Sequence, residues 1–134
     1  MFVIYNFFLS LIIFISPLII LIRIFLGKED QNRFKEKYGF LAKNNNSNEV
    51  VWIHGASVGE ILSIIPIIKK FEKDKKIKRI LITSSTTSSS QILSKFRFKK
   101  TMHQFYPFDL NFLTKHFINH WKPKLAIFVD SEIW

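Results

Sequence analysis

Apolar positions along this chain fall into two regimes. From Phe2 to Ile22 there is no charged residue, and 16 of the 21 positions are Phe, Val, Ile or Leu. Transfer of such a run to lipid gains about 5–10 kcal/mol before the cost of Asn6, Ser10, Ser16 and Pro17. The run is also about as long as a hydrocarbon core requires. It does not resemble a cleaved signal, because no basic segment precedes it, its apolar part is too long, and no small-x-small site follows. Residues 1–26 are therefore expected to form a membrane anchor that spans the bilayer. An interfacial helix kinked at Pro17 and a buried core helix are the alternatives.

The second regime is an alternation of short apolar runs and helical spacing. Residues 28–40 are basic and amphipathic, which predicts a short helix ending near Gly39. Residues 43–48 are a polar, Asn-rich linker, so that 27–48 forms a juxtamembrane segment. Val50-Val51-Trp52-Ile53 predicts a strand. Ile61, Ile64, Ile65, Ile68 and Phe71 predict a helix over 60–71, against which Pro66 argues. Ile80-Leu81-Ile82 predicts a second strand and 87–96 a helix, followed by a weak strand at 102–106. Leu110, Leu113, Phe117, Ile118 and Trp121 give one apolar face of a further helix, and 125–129 a last strand. Continuous apolar strands alternating with helices predict a parallel α/β sheet covered on both faces. After Val129 the chain offers Asp130-Ser131-Glu132-Ile133-Trp134 and no further helix. Residues 49–134 are accordingly expected to be the first part of a larger α/β unit.

Composition narrows the chemistry. The chain has 134 residues and a net charge of +10, from 20 Lys and Arg against 10 Asp and Glu. The absence of cysteine excludes a disulfide framework, a thiolate metal site and a cysteine nucleophile. A hydrophobic content of 48% is too high for a disordered chain. Arg23, Lys28, Arg33, Lys35 and Lys37 follow the apolar run, which predicts that the rest of the chain lies in the cytoplasm, against anionic headgroups. Lys69 to Arg79 and Lys95 to Lys100 are also rich in bases. No nucleic-acid-binding pattern accompanies them, and a solvated or membrane-facing surface is expected.

Candidate chemistry concentrates at Trp52-Ile53-His54-Gly55-Ala56-Ser57-Val58-Gly59-Glu60. This stretch leads from the carboxyl end of a strand into a helix, the place where open α/β sheets bind ligands. Glu60 stands in the first turn, as a general base or as a cap of the helix dipole. Gly55-Ala56-Ser57-Val58-Gly59 also has the G-x-S-x-G spacing of a hydrolase nucleophile elbow, although it follows the first strand and no histidine stands on a later loop. A membrane-tethered serine hydrolase and a basic membrane- or nucleic-acid-binding module are the alternative functions. Thr83 to Ser90 offers hydroxyls after the second strand but has neither the Gly nor the Lys of a P-loop. His116 and His120 have metal-pair spacing without a third ligand, and no metal is expected. Asp130 and Glu132 end the last strand on the same sheet edge as Glu60.

These residues, in this order, resemble the 3-deoxy-D-manno-octulosonic acid (Kdo) transferase family. Arg33-Phe34-Lys35-Glu36-Lys37-Tyr38-Gly39 is similar to the family's R-[FW]-x-E-[KR]-Y-G. Trp52 to Glu60 is similar to W-[IL]-H-x-x-S-[VI]-G-E, its most specific motif. Thr83 to Ser89, His103 to Asp109 and Trp121-Lys122-Pro123 match later blocks, and the chain ends inside E-[ST]-E-[LI]-W-P, with Asp130 at the first Glu. The resemblance implies the Rossmann-like N-terminal domain of an inverting, metal-independent GT-B glycosyltransferase at the inner membrane. Such an enzyme transfers Kdo from CMP-Kdo to the lipid A precursor in lipopolysaccharide biosynthesis. It further implies Glu60 as proton acceptor and Glu132 as transition-state support. Ser57, Gly59, Thr83, Ser84 and Thr86 are expected to bind substrate. The nucleotide-binding domain is expected to lie outside these residues, leaving this chain inactive by itself, with no cofactor of its own.

Overall fold

The computed structural model describes residues 2–44 and 49–129. A long apolar helix, α1 (Phe2–Phe25), is followed by a 3-10 turn over Phe34–Tyr38 and then by β1 (Val50–His54), α2 (Val58–Lys73), β2 (Arg79–Ser84), α3 (Thr87–Ser94), β3 (Thr101–Phe105), α4 (Asn111–Trp121) and β4 (Leu125–Phe128). The strands form one sheet in the order β3-β2-β1-β4, and every neighbouring pair is parallel. The expected parallel α/β architecture is present.

Alternation of side chains along the strands divides the core in two. Val51, Ile53, Ile80 and Ile82 face α2 and α3, where they meet Ile61, Ile64, Ile65, Ile68 and Leu93. Val50, Trp52 and Leu81 face the other way, onto Phe117 and Trp121 of α4 and onto Leu41 and Ala42. β1 is buried on both faces, which explains why its sequence is a continuous apolar run rather than an alternating one. Ile53, Ile80 and Ile82 are fully buried, and each contributes about 1.5–3 kcal/mol through removal from water.

The helix expected over 60–71 is present, and two other expectations are corrected. α2 runs unbroken through Pro66. Pro66 is exposed, so the carbonyl that loses its N–H partner lies on the solvent side, where water satisfies it. The helix expected over 28–40 is only the 3-10 turn of Phe34–Tyr38, because its charges are drawn into ion pairs that hold an irregular backbone. Ile118 is exposed and does not share the buried face of Leu113, Phe117 and Trp121.

The turn ends as the sequence predicts. Gly39 has φ +90°, the left-handed conformation that glycine adopts without steric cost. A Cβ there would lie 2.8 Å from Leu113 Cδ2, so glycine also allows the turn to seat on α4. At the end of α1, Gly27 is likewise left-handed. Its N–H bonds Ile24 O and that of Lys28 bonds Arg23 O, a Schellman stop that reverses the chain.

Candidate functional site

Strand order creates the site. Passing from β1 to β2 to β3 the chain moves in one direction, and β4 then returns to the other flank of β1. The carboxyl ends of β1 and β4 therefore bound the topological switch point, the ligand crevice of such sheets. The W-x-H-x-x-S-x-G-E stretch leaves β1 at this point. Val129, just beyond β4, donates its N–H to His54 O at 2.9 Å. Asp130 and Glu132 follow Val129 in sequence and lie outside the described residues.

The turn from β1 into α2 is a reciprocal cap. Ser57 is the N-cap residue, with its backbone in the ordinary extended region at φ −110° and ψ 165°. Its hydroxyl donates to Glu60 Oε1 at 2.6 Å and accepts from the Glu60 N–H at 3.3 Å. Glu60 Oε2 accepts from the Ala56 N–H at 2.8 Å. The carboxylate is thus held in one orientation at the N-terminus of α2, where the helix dipole favours negative charge. Ser57 lacks the strained elbow backbone of a hydrolase nucleophile, and its hydroxyl is bonded to a carboxylate rather than to histidine. Glu60 is half-buried while Ser57 and Gly59 are exposed. A Cβ on Gly59 would meet nothing within 4 Å, so the backbone is open to close approach by a ligand.

Thr83 and Ser84 lie fully buried beneath this rim instead of facing solvent. Thr83 Oγ1 accepts from Trp52 Nε1 at 2.9 Å and lies 2.8 Å from His54 Nδ1. Trp52, His54, Tyr106 and Phe128 form an aromatic floor, with ring centroids 4.6–6.3 Å apart. Burial, and secondarily the Asp109 charge, raise the Tyr106 phenol above its usual range, so it is a neutral hydrogen-bonding group at physiological pH. Thr86 is exposed and caps α3, its hydroxyl accepting from the Ser89 N–H at 3.3 Å.

A second network fastens the N-terminal turn to β3, and spacing alone does not reveal it. Arg33 makes a two-pronged ion pair with Glu36 at 2.7 and 3.0 Å. It also donates to Ser90 Oγ and His103 O. Glu36 Oε2 accepts from the Phe105 N–H at 2.7 Å. Arg33 Nη2 stands 3.0 Å from His103 Nδ1, and Ser84 Oγ stands 2.8 Å from His103 Nε2. A guanidinium only donates, so Nδ1 accepts and the neutral ring carries its proton on Nε2, toward Ser84. Burial, with the Arg33 charge added, pushes the His103 pKa down to about 3. A cavity of about 230 Å³ opens beside this network between Arg33, Ser90, Leu93, Phe96 and His103, and Glu60 is not among its lining residues.

Among the described residues, no group of three or more His, Asp or Glu side chains converges as a metal site. His120 Nε2 lies 2.8 Å from Ala42 O and docks the preceding loop on α4.

Strand order, paired cores and an acidic strand-to-helix turn at the switch point together define a Rossmann-like parallel α/β domain. Residues 32–134 match the model of the 3-deoxy-D-manno-octulosonic-acid transferase (kdotransferase) family, and the chain belongs to that family. It is 40% identical over 130 residues to a 3-deoxy-D-manno-octulosonic acid transferase of Rickettsia bellii (strain RML369-C), covering 97% of this chain and 31% of that protein. A transferase of the same name from Haemophilus influenzae is 30% identical over 132 residues, covering 96% and 31%. A probable mitochondrial one from Arabidopsis thaliana is 30% identical over 134 residues, covering 98% and 30%. The chain thus spans about a third of the length of these relatives.

Proposed function

We propose that this chain is the membrane-anchored, acceptor-side domain of a glycosyltransferase that moves Kdo from CMP-Kdo to a lipid A precursor, with inversion, at the cytoplasmic face of the inner membrane. The observation that carries the reading is the Glu60 carboxylate, held by Ser57 and the Ala56 N–H in the turn that leaves β1 at the switch point. A sugar hydroxyl is a weak nucleophile. As its oxygen forms a bond to the anomeric carbon of Kdo, the bond from that carbon to the CMP phosphate breaks, and Glu60 takes the hydroxyl proton. Glu132, just past β4, supports the charge of the transition state. Ser57, Gly59 and Thr86 contact the acceptor from the exposed rim. Thr83 and Ser84 act from beneath, holding His54 and His103 in place. The domain boundaries follow: residues 1–26 anchor, 27–48 join, and 49–134 form the acceptor side, while CMP-Kdo is bound by a separate donor-side domain.

The test is Glu60→Gln in a form that includes the donor side. The amide keeps the volume and loses the ability to take a proton. Single-turnover transfer should slow by about 10²–10⁴-fold, in kcat more than in KM, with acceptor binding little changed. A rate within a few-fold of the parent would reduce Glu60 to a helix cap.

A further inference from the structure

α1 has the length and apolarity of a membrane span, with a mean hydropathy of 2.6 over Val3–Phe25, yet it does not stand free of the domain. The chain reverses at Gly27 and runs back along it. Glu29, buried, bridges Arg23 of α1 at 2.9 Å and Lys37 of the turn at 2.7 and 2.9 Å. Farther up the helix, Ser16 Oγ lies 2.7 Å from the Tyr38 hydroxyl. Ser16 also donates to Ile13 O at 2.7 Å, the carbonyl left without an N–H partner by Pro17. With its one proton so used, Ser16 accepts from Tyr38. Ser16 and Ile20 are buried in this contact.

The level of that contact decides how the helix can lie. Ser16 is nine residues before Phe25, or about 13 Å along the axis at 1.5 Å per residue. If α1 stood across the bilayer with Phe25 at the headgroups, Tyr38 would sit near the middle of a hydrocarbon core of about 30 Å. The 3-10 turn, with exposed Lys35, would be carried into lipid with it, at a high cost for the charge. Side-chain placement around the helix points the same way. At about 100° per residue, positions Tyr5, Ser16 and Arg23 share one arc with the docked Ile13 and Ile20. The opposite arc is exposed and apolar from end to end, including Phe7 (66%), Phe14 (87%) and Phe25 (90%). A helix docked on a polar domain along one side, with an apolar side exposed along its length, suits one that lies along a surface, not one that crosses it.

We infer that α1 lies in the plane of the membrane, its apolar faces sunk in the acyl boundary of one leaflet and its Ser16 and Ile20 face docked on the domain, so that both ends stay on the same side. This rests on the reading of α1 as a membrane anchor, and the test separates the two. The 134-residue chain has no cysteine, so single sites can be introduced in it. One goes in a short polar extension before Met1, the other is Lys76→Cys, at an exposed position after α2. Each is treated with a membrane-impermeant maleimide in spheroplasts and in inside-out vesicles. Both cysteines should react in the same preparation and lose reactivity in the other. Reaction of the two in opposite preparations shows a crossing helix and overturns the inference while leaving the anchor intact. Recovery of the protein in the soluble fraction at low salt overturns the anchor itself.

Discussion

Gly59 separates function from packing better than most residues of the motif. Because a Cβ at this position meets nothing within 4 Å, Gly59→Ala should leave the fold intact. It should even stabilise α2 slightly, by up to about 0.5–1 kcal/mol, since alanine is the better helix former. If the exposed backbone receives substrate, transfer should nevertheless fall by roughly ten-fold or more, because a methyl group displaces the ligand from the carboxylate. Parent-like rates in a protein with an unchanged unfolding midpoint would remove Gly59 from the site. His103 gives a different signal. Its pKa drops from 6.5 in the unfolded chain to about 3 in the fold, so between those values the unfolded state binds the extra proton. Stability should therefore fall as pH drops through that window, with a slope approaching 1.4 kcal/mol per pH unit, on the order of one proton. Denaturant midpoints measured across it should lose about that slope in His103→Gln.

The Arg33-to-Gly39 stretch is decided at the level of the element. Most of its polar or special residues serve a neighbour outside the turn: Arg33 and Glu36 hold β3, Lys37 holds Glu29, Tyr38 holds α1, and Gly39 seats on α4. A single 3-10 turn thus fastens the anchor to the edge strand β3. Gly39→Ala should cost about 1–3 kcal/mol, from the left-handed backbone and the collision with Leu113. Chemical denaturation of the detergent-solubilised chain would measure it, and an unchanged midpoint would mean that the turn does not seat on α4 as described. Glu72 plays a comparable part at the start of the same strand. Burial alone would raise its pKa, but hydrogen bonds from the Thr101 hydroxyl and the Lys99 and Lys100 N–H groups together hold the carboxyl below its usual range. It thereby pins the start of β3 to the end of α2.

Across the whole molecule, charge and coverage set the behaviour. Of the five bases that follow the apolar run, Arg23, Arg33 and Lys37 are spent on Glu29 and Glu36. Attraction to anionic headgroups near the anchor thus falls to fewer free charges than the sequence suggests, chiefly the exposed Lys28 and Lys35. Coverage bears on activity, since the chain matches only about 31% of its Rickettsia bellii relative. If nucleotide binding belongs to the donor side, calorimetry of CMP against the 134-residue chain should give no binding heat. Micromolar binding would contradict the division into acceptor and donor sides.

Periodicity alone made much of this fold legible. The apolar run of α1, the four strands and the three helices between them follow from local spacing, because burial on one face or both leaves a period that neighbouring residues suffice to show. The place of Glu60 in a first helical turn was legible for the same local reason. Strand order is different. Nothing in β4 itself says that it returns to pair with β1, and that pairing is what sets the Glu60 turn beside the end of β4, where Glu132 follows. Nor does local spacing show that Thr83 and Ser84 are buried under Trp52, His54 and His103, or that Pro66 is harmless on a solvent-facing side. These depend on contacts between residues tens of positions apart, such as Arg33 with His103 and Ser16 with Tyr38, whose energies exist only once the chain has closed on itself.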